Sequence, residues 1–87
     1  MNGLRLRELR AGRKISLEKL GEVINKSKIS YSKKERGEVD FLPDEVLALS
    51  EFYELTYDEM NAIFYDHNLP NGKMENFKDI LAAIGLL

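Results

Sequence analysis

Apolar residues along this chain recur at intervals of three and four, and nowhere do they alternate with polar ones over a sustained stretch. That spacing predicts helices and no strands. Leu4, Leu6 and Leu9 mark a first helix that fades near Gly12. Ser16 is placed to cap a second, because its hydroxyl can accept from the free N–H groups of the next turn, and Ile15 with Leu20 has the spacing of a hydrophobic staple. Leu17, Leu20, Val23 and Ile24 carry that short helix to Asn25. Ser27 caps a third, expected from Lys28 to about Glu35, with Gly37 where a left-handed residue closes a helix cheaply. Glu38 to Leu42 reads as a loop.

Pro43 in a first turn, followed by Asp44 and Glu45 near the positive end of the helix dipole, opens a fourth helix carrying Val46, Leu47, Leu49, Phe52 and Tyr53. Thr56-Tyr57-Asp58-Glu59 matches a capping box, stapled by Leu55 and Met60, and the fifth helix it starts buries Met60, Ile63 and Phe64. The cluster Asn68-Leu69-Pro70-Asn71-Gly72 breaks the pattern. We therefore divide the chain into a helical domain, residues 1–67, and residues 68–87, a linker and a last helix from about Met74 to Ile84. Met74, Phe77, Ile80, Leu81, Ile84 and Leu87 form an apolar stripe on it. Phe77, Ile80, Leu81 and Ile84 either fold back on their own domain or dock on a second copy; dimerisation is the favoured expectation, since a lone small domain binds DNA weakly.

Composition narrows the class. Eighty-seven residues, 44% hydrophobic and 32% charged, describe one small globular unit. No apolar run approaches the roughly 20 residues of a membrane span, and the start shows no signal-peptide stretch, so a cytoplasmic location without membrane association is expected. Cysteine is absent and His67 is the single histidine, which argues against disulfides, a thiolate zinc site or any other metal, and no cofactor is expected. No paired carboxylates, nucleophile elbow or phosphate-cradling glycine loop stands in a recognisable context, which speaks against an enzyme.

Charge changes the picture more. The formal net charge of -2 hides an excess of +7 over residues 1–37 and of -9 over residues 38–87. A basic half of that size is the footprint of a polyanion partner, although a dipolar surface kept for solubility would show it too.

Leu17 to Ile24 and Lys28 to Glu35, joined by Asn25-Lys26-Ser27, have the dimensions of a helix-turn-helix. The first helix must offer free N–H groups to a phosphate, which Ser16 and Leu17 could do with help from Arg13 and Lys14 just before them. The second must project polar side chains into a major groove. Helical geometry puts Lys28, Ile29, Ser32 and Lys33 on one face, with Tyr31 and Lys34 opposite.

Together with Leu6-Arg7-Glu8-Leu9-Arg10, Ser16-Leu17-Glu18-Lys19-Leu20, Ser27 to Ser32, Glu35-Arg36-Gly37, Leu47-Ala48-Leu49 and Thr56 to Met60, this arrangement resembles the lambda-repressor-like, XRE-type helix-turn-helix regulators over residues 4 to about 65. The resemblance implies an all-α, five-helix domain, here with an additional C-terminal helix, whose third helix reads the major groove. It also implies a buried ion pair between first and third helices, Arg10 with Glu35. Three residues depart from the family pattern. Leu17 stands where Gln usually contacts phosphate, leaving only its backbone N–H, and Gly21 stands where Ala is common. Lys34 occupies a position usually apolar, and its stem is expected to pack while the ammonium reaches outward.

Base reading is thus expected from Lys28, Ile29, Ser32 and Lys33, and phosphate contact from Arg13, Lys14, Ser16, Leu17, Lys26, Ser30 and Arg36. Each has a plainer reading: lysines commonly just solvate a helix, and serines suit any short helix. Ile29 is open to two readings, contact with a thymine methyl or a core position in a shifted register. Tyr53, Tyr57, Phe64 and Tyr65 sit in the acidic half, where core or subunit contact fits better than base stacking. The expected function is sequence-specific binding of double-stranded DNA by a transcriptional regulator, a repressor occupying its operator as a homodimer. Rivals are an antitoxin-type regulator holding a protein partner on the acidic half, and an interaction module that has lost DNA binding.

Overall fold

The computed structural model describes residues 1–69. Five α-helices follow one another: α1 (Gly3–Gly12), α2 (Leu17–Val23), α3 (Lys28–Glu35), α4 (Pro43–Phe52) and α5 (Tyr57–Phe64), with no strand among the described residues. The expected C-terminal helix, with Phe77, Ile80, Leu81 and Ile84, lies outside them.

Local chemistry explains where the helices begin. The side chains of Asn2, Ser16, Ser27 and Thr56 accept from the N–H groups of Arg5, Lys19, Ser30 and Glu59, each satisfying a donor that the first turn leaves open. At α5 the capping box closes, because the Glu59 carboxylate accepts from Thr56 N–H at 3.0 Å. That bond holds the Glu59 carboxyl below the usual carboxylate range. α4 begins differently: Leu42 has no acceptor to offer, and the Glu45 carboxylate alone reaches back to Leu42 N–H at 2.8 Å.

The helix ends share one device. After each of α1 to α4 the chain turns through a residue with positive φ, namely Lys14, Asn25, Gly37 and Glu54. In each case that residue's N–H and the next one's return to carbonyls of the last turn: Lys14 to Ala11, Ile15 to Arg10, Asn25 to Glu22, Lys26 to Gly21, Gly37 to Lys34, Glu38 to Lys33, Glu54 to Glu51 and Leu55 to Ser50. These are paired closures of the Schellman type. Only Gly37 adopts the left-handed region without steric cost.

Each helix contributes one completely buried side chain, Leu6, Leu20, Tyr31, Leu49 and Met60 in order. Around them pack Ile24, Val46, Leu47, Tyr53, Leu55, Tyr57, Ile63 and Phe64. α2 and α3 lie chiefly against each other, while α1 meets α3 and α5, and α4 meets α2 and α5. Phe41, in the loop after α3, sits with its ring 6.0 Å from Tyr31 and edge-on to Phe64 at 5.5 Å, so the loop is tied to the core by aromatic contact. Leu4 is exposed although Leu6 is buried; two residues apart on a helix are about 200° apart around its axis.

Candidate nucleic-acid interface

The turn between α2 and α3 is tight because Gly21 permits it. A Cβ at Gly21 would stand 2.8 Å from the carbonyl oxygen of Lys26 and 3.0 Å from the carbonyl carbon of Ser27. Glycine here is a packing requirement, and an alanine in its place would force backbone to move.

The two faces of α3 are sharply different. Inward, Tyr31, Lys34 and Glu35 are all buried. Glu35 receives the Arg10 guanidinium as a fork, with Nη2 at 3.0 Å from Oε1 and Nε at 3.1 Å from Oε2, which holds α3 against α1. Glu35 raises the pKa of Arg10 by that hydrogen bonding, against the opposing effect of burial. Such a planar, bidentate match is the strongest form of ion pair available to a side chain. Burial pushes the Tyr31 phenol upward in pKa, and the nearby Glu35 charge acts the same way although the two do not form a hydrogen bond in the geometry observed. The Tyr53 phenol is pushed up to about 12, by burial first and the Glu35 charge second.

Lys34 corrects an expectation. Its ammonium does not reach outward: the residue is only 6% exposed, and Nζ lies 2.5 Å from Glu45 Oε1. α3 carries a buried cation in its last turn, and α4 supplies a buried anion to meet it. The Glu45 Oε1 that takes Lys34 is also the atom that accepts from Leu42 N–H. One carboxylate oxygen therefore starts α4 and anchors α3, while Oε2 is buried without a partner among the described residues. The sequence reading identified Arg10 with Glu35 but missed Glu45. Its signal was an unexplained buried-register lysine followed, in the first turn of the next helix, by a carboxylate.

Outward, Lys28, Ile29 and Lys33 are exposed, Ile29 at 68%, while Ser30 and Ser32 are half-buried. The exposure of Ile29 removes the shifted-register reading. Lys28 Nζ lies 3.8 Å from Glu18 on α2, both largely exposed, a pairing worth little. Lys33, Lys26 and Lys14 form no ion pair among the described residues. Arg36 lies against the end of α3, donating to Ser32 Oγ and Glu38 Oε2, both at 2.5 Å. Its guanidinium holds the Glu38 carboxyl below the usual range. Ser32 is thereby engaged with Arg36. Ser16 is exposed, Leu17 half-buried. Arg13 turns toward α4: Nη2 donates to the Tyr53 carbonyl at 3.3 Å, and its guanidinium carbon lies 5.3 Å from the centre of the Tyr53 ring.

Tyr53, Tyr57 and Phe64 are buried and Tyr65 half-buried, so they present no stacking platform. His67 is exposed just beyond α5. Among the described residues no cluster of His, Cys, Asp or Glu could hold a metal, and no helix is long and apolar enough to cross a membrane.

A family model described as a helix-turn-helix domain matches residues 3–63. Comparison with curated proteins gave no match, and comparison with solved structures gave none.

Proposed function

This chain belongs to the helix-turn-helix family, and we propose that it is a sequence-specific regulator of transcription that binds double-stranded DNA through α3. The observation that carries the proposal is the division of α3 into a buried face held by two ion pairs and an exposed face bearing Lys28, Ile29 and Lys33. Such a helix can enter a major groove without disturbing the core.

The work is binding alone, with no bond made or broken. Lys14, Lys26 and Arg36, with the N-terminus of α2 at Ser16 and Leu17, would meet phosphates, as would Ser30; Arg13 would do so by leaving Tyr53. Lys28, Ile29, Ser32 and Lys33 would meet base edges, Ser32 while also holding Arg36. Each phosphate neutralised releases counterions, so affinity must fall steeply as salt rises. Residues 38–87, with their -9 charge, would face away from the duplex.

Two copies on an inverted repeat would set their α3 helices about 34 Å apart, one helical turn of DNA. The apolar stripe through Phe77, Ile80, Leu81 and Ile84 is the surface proposed to join them. Occupancy of a promoter by such a dimer excludes polymerase, which makes repression the proposed outcome, in the cytoplasm.

Fluorescence anisotropy against a random duplex library and its selected winners, repeated across a salt series, tests the proposal. A selected inverted repeat, bound far more tightly than random duplex and steeply salt-dependent, supports it. Failure to select any site, with feeble binding that salt erases, would assign the domain to protein contacts instead.

A further inference from the structure

Ile29 is the most exposed of the large hydrophobic residues among those described, at 68%. An isolated exposed isoleucine is ordinary on a protein surface. The setting of this one is not. It stands in the first turn of α3, preceded by Lys28 and one helical turn before Lys33, while Tyr31 and Lys34 hold the opposite side of the helix in the core. No rotation of α3 could bury Ile29 without expelling those residues and breaking the Lys34–Glu45 pair. A partner that covers Ile29 therefore comes from outside the domain, and the exposed Lys28 and Lys33 beside it suit that partner to carry negative charge.

Accepting the reading of α3 as a major-groove helix, we propose that Ile29 is a specificity-determining residue that packs on the C5-methyl group of a thymine. The major groove presents hydrogen-bonding atoms at every base, and the thymine methyl is the apolar feature among them. Ile29 carries no donor or acceptor, so it cannot satisfy guanine, adenine or cytosine edges, and setting it on one would strip those polar atoms of water without replacement. Lys28 and Lys33 supply the cationic frame that matches phosphates or guanine on either side. α3 thus reads one T·A pair by apolar contact, flanked by pairs or phosphates read by charge.

The test replaces single atoms. On the duplex selected by the wild-type protein, each thymine in turn is exchanged for deoxyuridine, which removes the methyl and leaves every hydrogen-bonding group in place. Burial of one methyl corresponds to about a fourfold change in affinity. The wild-type protein is expected to lose about that factor at one thymine in each half-site. Ile29→Ala, which removes an exposed side chain and places a better helix former in α3, is expected to bind with less than a twofold response at the same thymine. A selected duplex indifferent to every such exchange overturns the inference and leaves the DNA-binding reading standing. So does a sensitive thymine whose effect is undiminished in Ile29→Ala. Loss of self-association in Ile29→Ala, without loss of thymine preference, would give the residue to a second copy of the chain. Selection of no duplex by the wild-type protein overturns both readings together.

Discussion

Lys28 and Lys33 owe the core nothing, and that is what makes them informative. Both are exposed, and the 3.8 Å approach of Lys28 to Glu18 is a surface contact of small worth. Lys28→Ala combined with Lys33→Ala is therefore expected to leave the thermal unfolding midpoint within a few degrees of wild type. The same variant should lose selective DNA binding, and the slope of log affinity against log salt should shrink by about 0.9 for each lysine that touches a phosphate. Affinity, selectivity and salt slope all unchanged would mean that α3 is not the reading helix. At this scale the sequence was legible where one side chain makes one local bond, as Ser16, Ser27 and Thr56 do at their helix starts. It was illegible where a side chain could turn either way. Arg13 turned to the Tyr53 carbonyl and ring, and nothing in the neighbouring sequence distinguishes that from a free arginine.

Between elements, the anchoring of α3 rests on charges from two different neighbours. Arg10 of α1 grips Glu35, and Glu45 of α4 grips Lys34. Lys34→Met leaves the Glu45 carboxylate buried without its cation and is expected to cost about 3–5 kcal/mol. Adding Glu45→Gln to it should return most of that loss, since the uncompensated charge is gone and the amide oxygen can still accept from Leu42 N–H. A double-mutant cycle by urea unfolding measures the coupling; additive losses would deny it. The same scale shows why helix ends were only partly readable. Gly37 announced its left-handed turn, but Lys14, Asn25 and Glu54 occupy equivalent turns with side chains that do not advertise them. Glu54→Gly is expected to stabilise the fold by about 0.5–1 kcal/mol, because relief of the left-handed strain outweighs the freedom glycine adds to the unfolded chain. The midpoint of urea unfolding would show it, and a lower midpoint would contradict it.

For the whole molecule, two buried phenols set an upper limit in pH. Tyr53 is pushed up to about 12 and Tyr31 shifts in the same direction, chiefly by burial. An unfolded phenol ionises near 10. Below that value neither state loses these protons and stability is untouched. Above it the unfolded chain ionises first, so stability drains as pH climbs from about 10 toward the folded values. Tyrosinate absorbance and helical ellipticity are expected to change together over that window, and Tyr53→Phe should move the transition to higher pH if its packing is retained. Ionisation of both phenols with the helices intact would contradict this. The five helices and their order followed from periodicity, caps and the staple spacings, all of which act within a few residues. The core partnership of Lys34 with Glu45 spans eleven residues and two helices, a distance at which composition and spacing no longer choose between partners.

The separation of α3 into two faces also bears on how such a chain diversifies. Folding depends on Tyr31, Lys34 and Glu35, whereas Lys28, Ile29 and Lys33 make no contribution to the core. Substitutions at those three places can accumulate without first crossing a stability threshold. A descendant can then change the site it recognises in single steps, each intermediate still folded. Ser32 is the exception, because it also holds Arg36, and a lineage that alters it must relinquish or replace that contact in the same move.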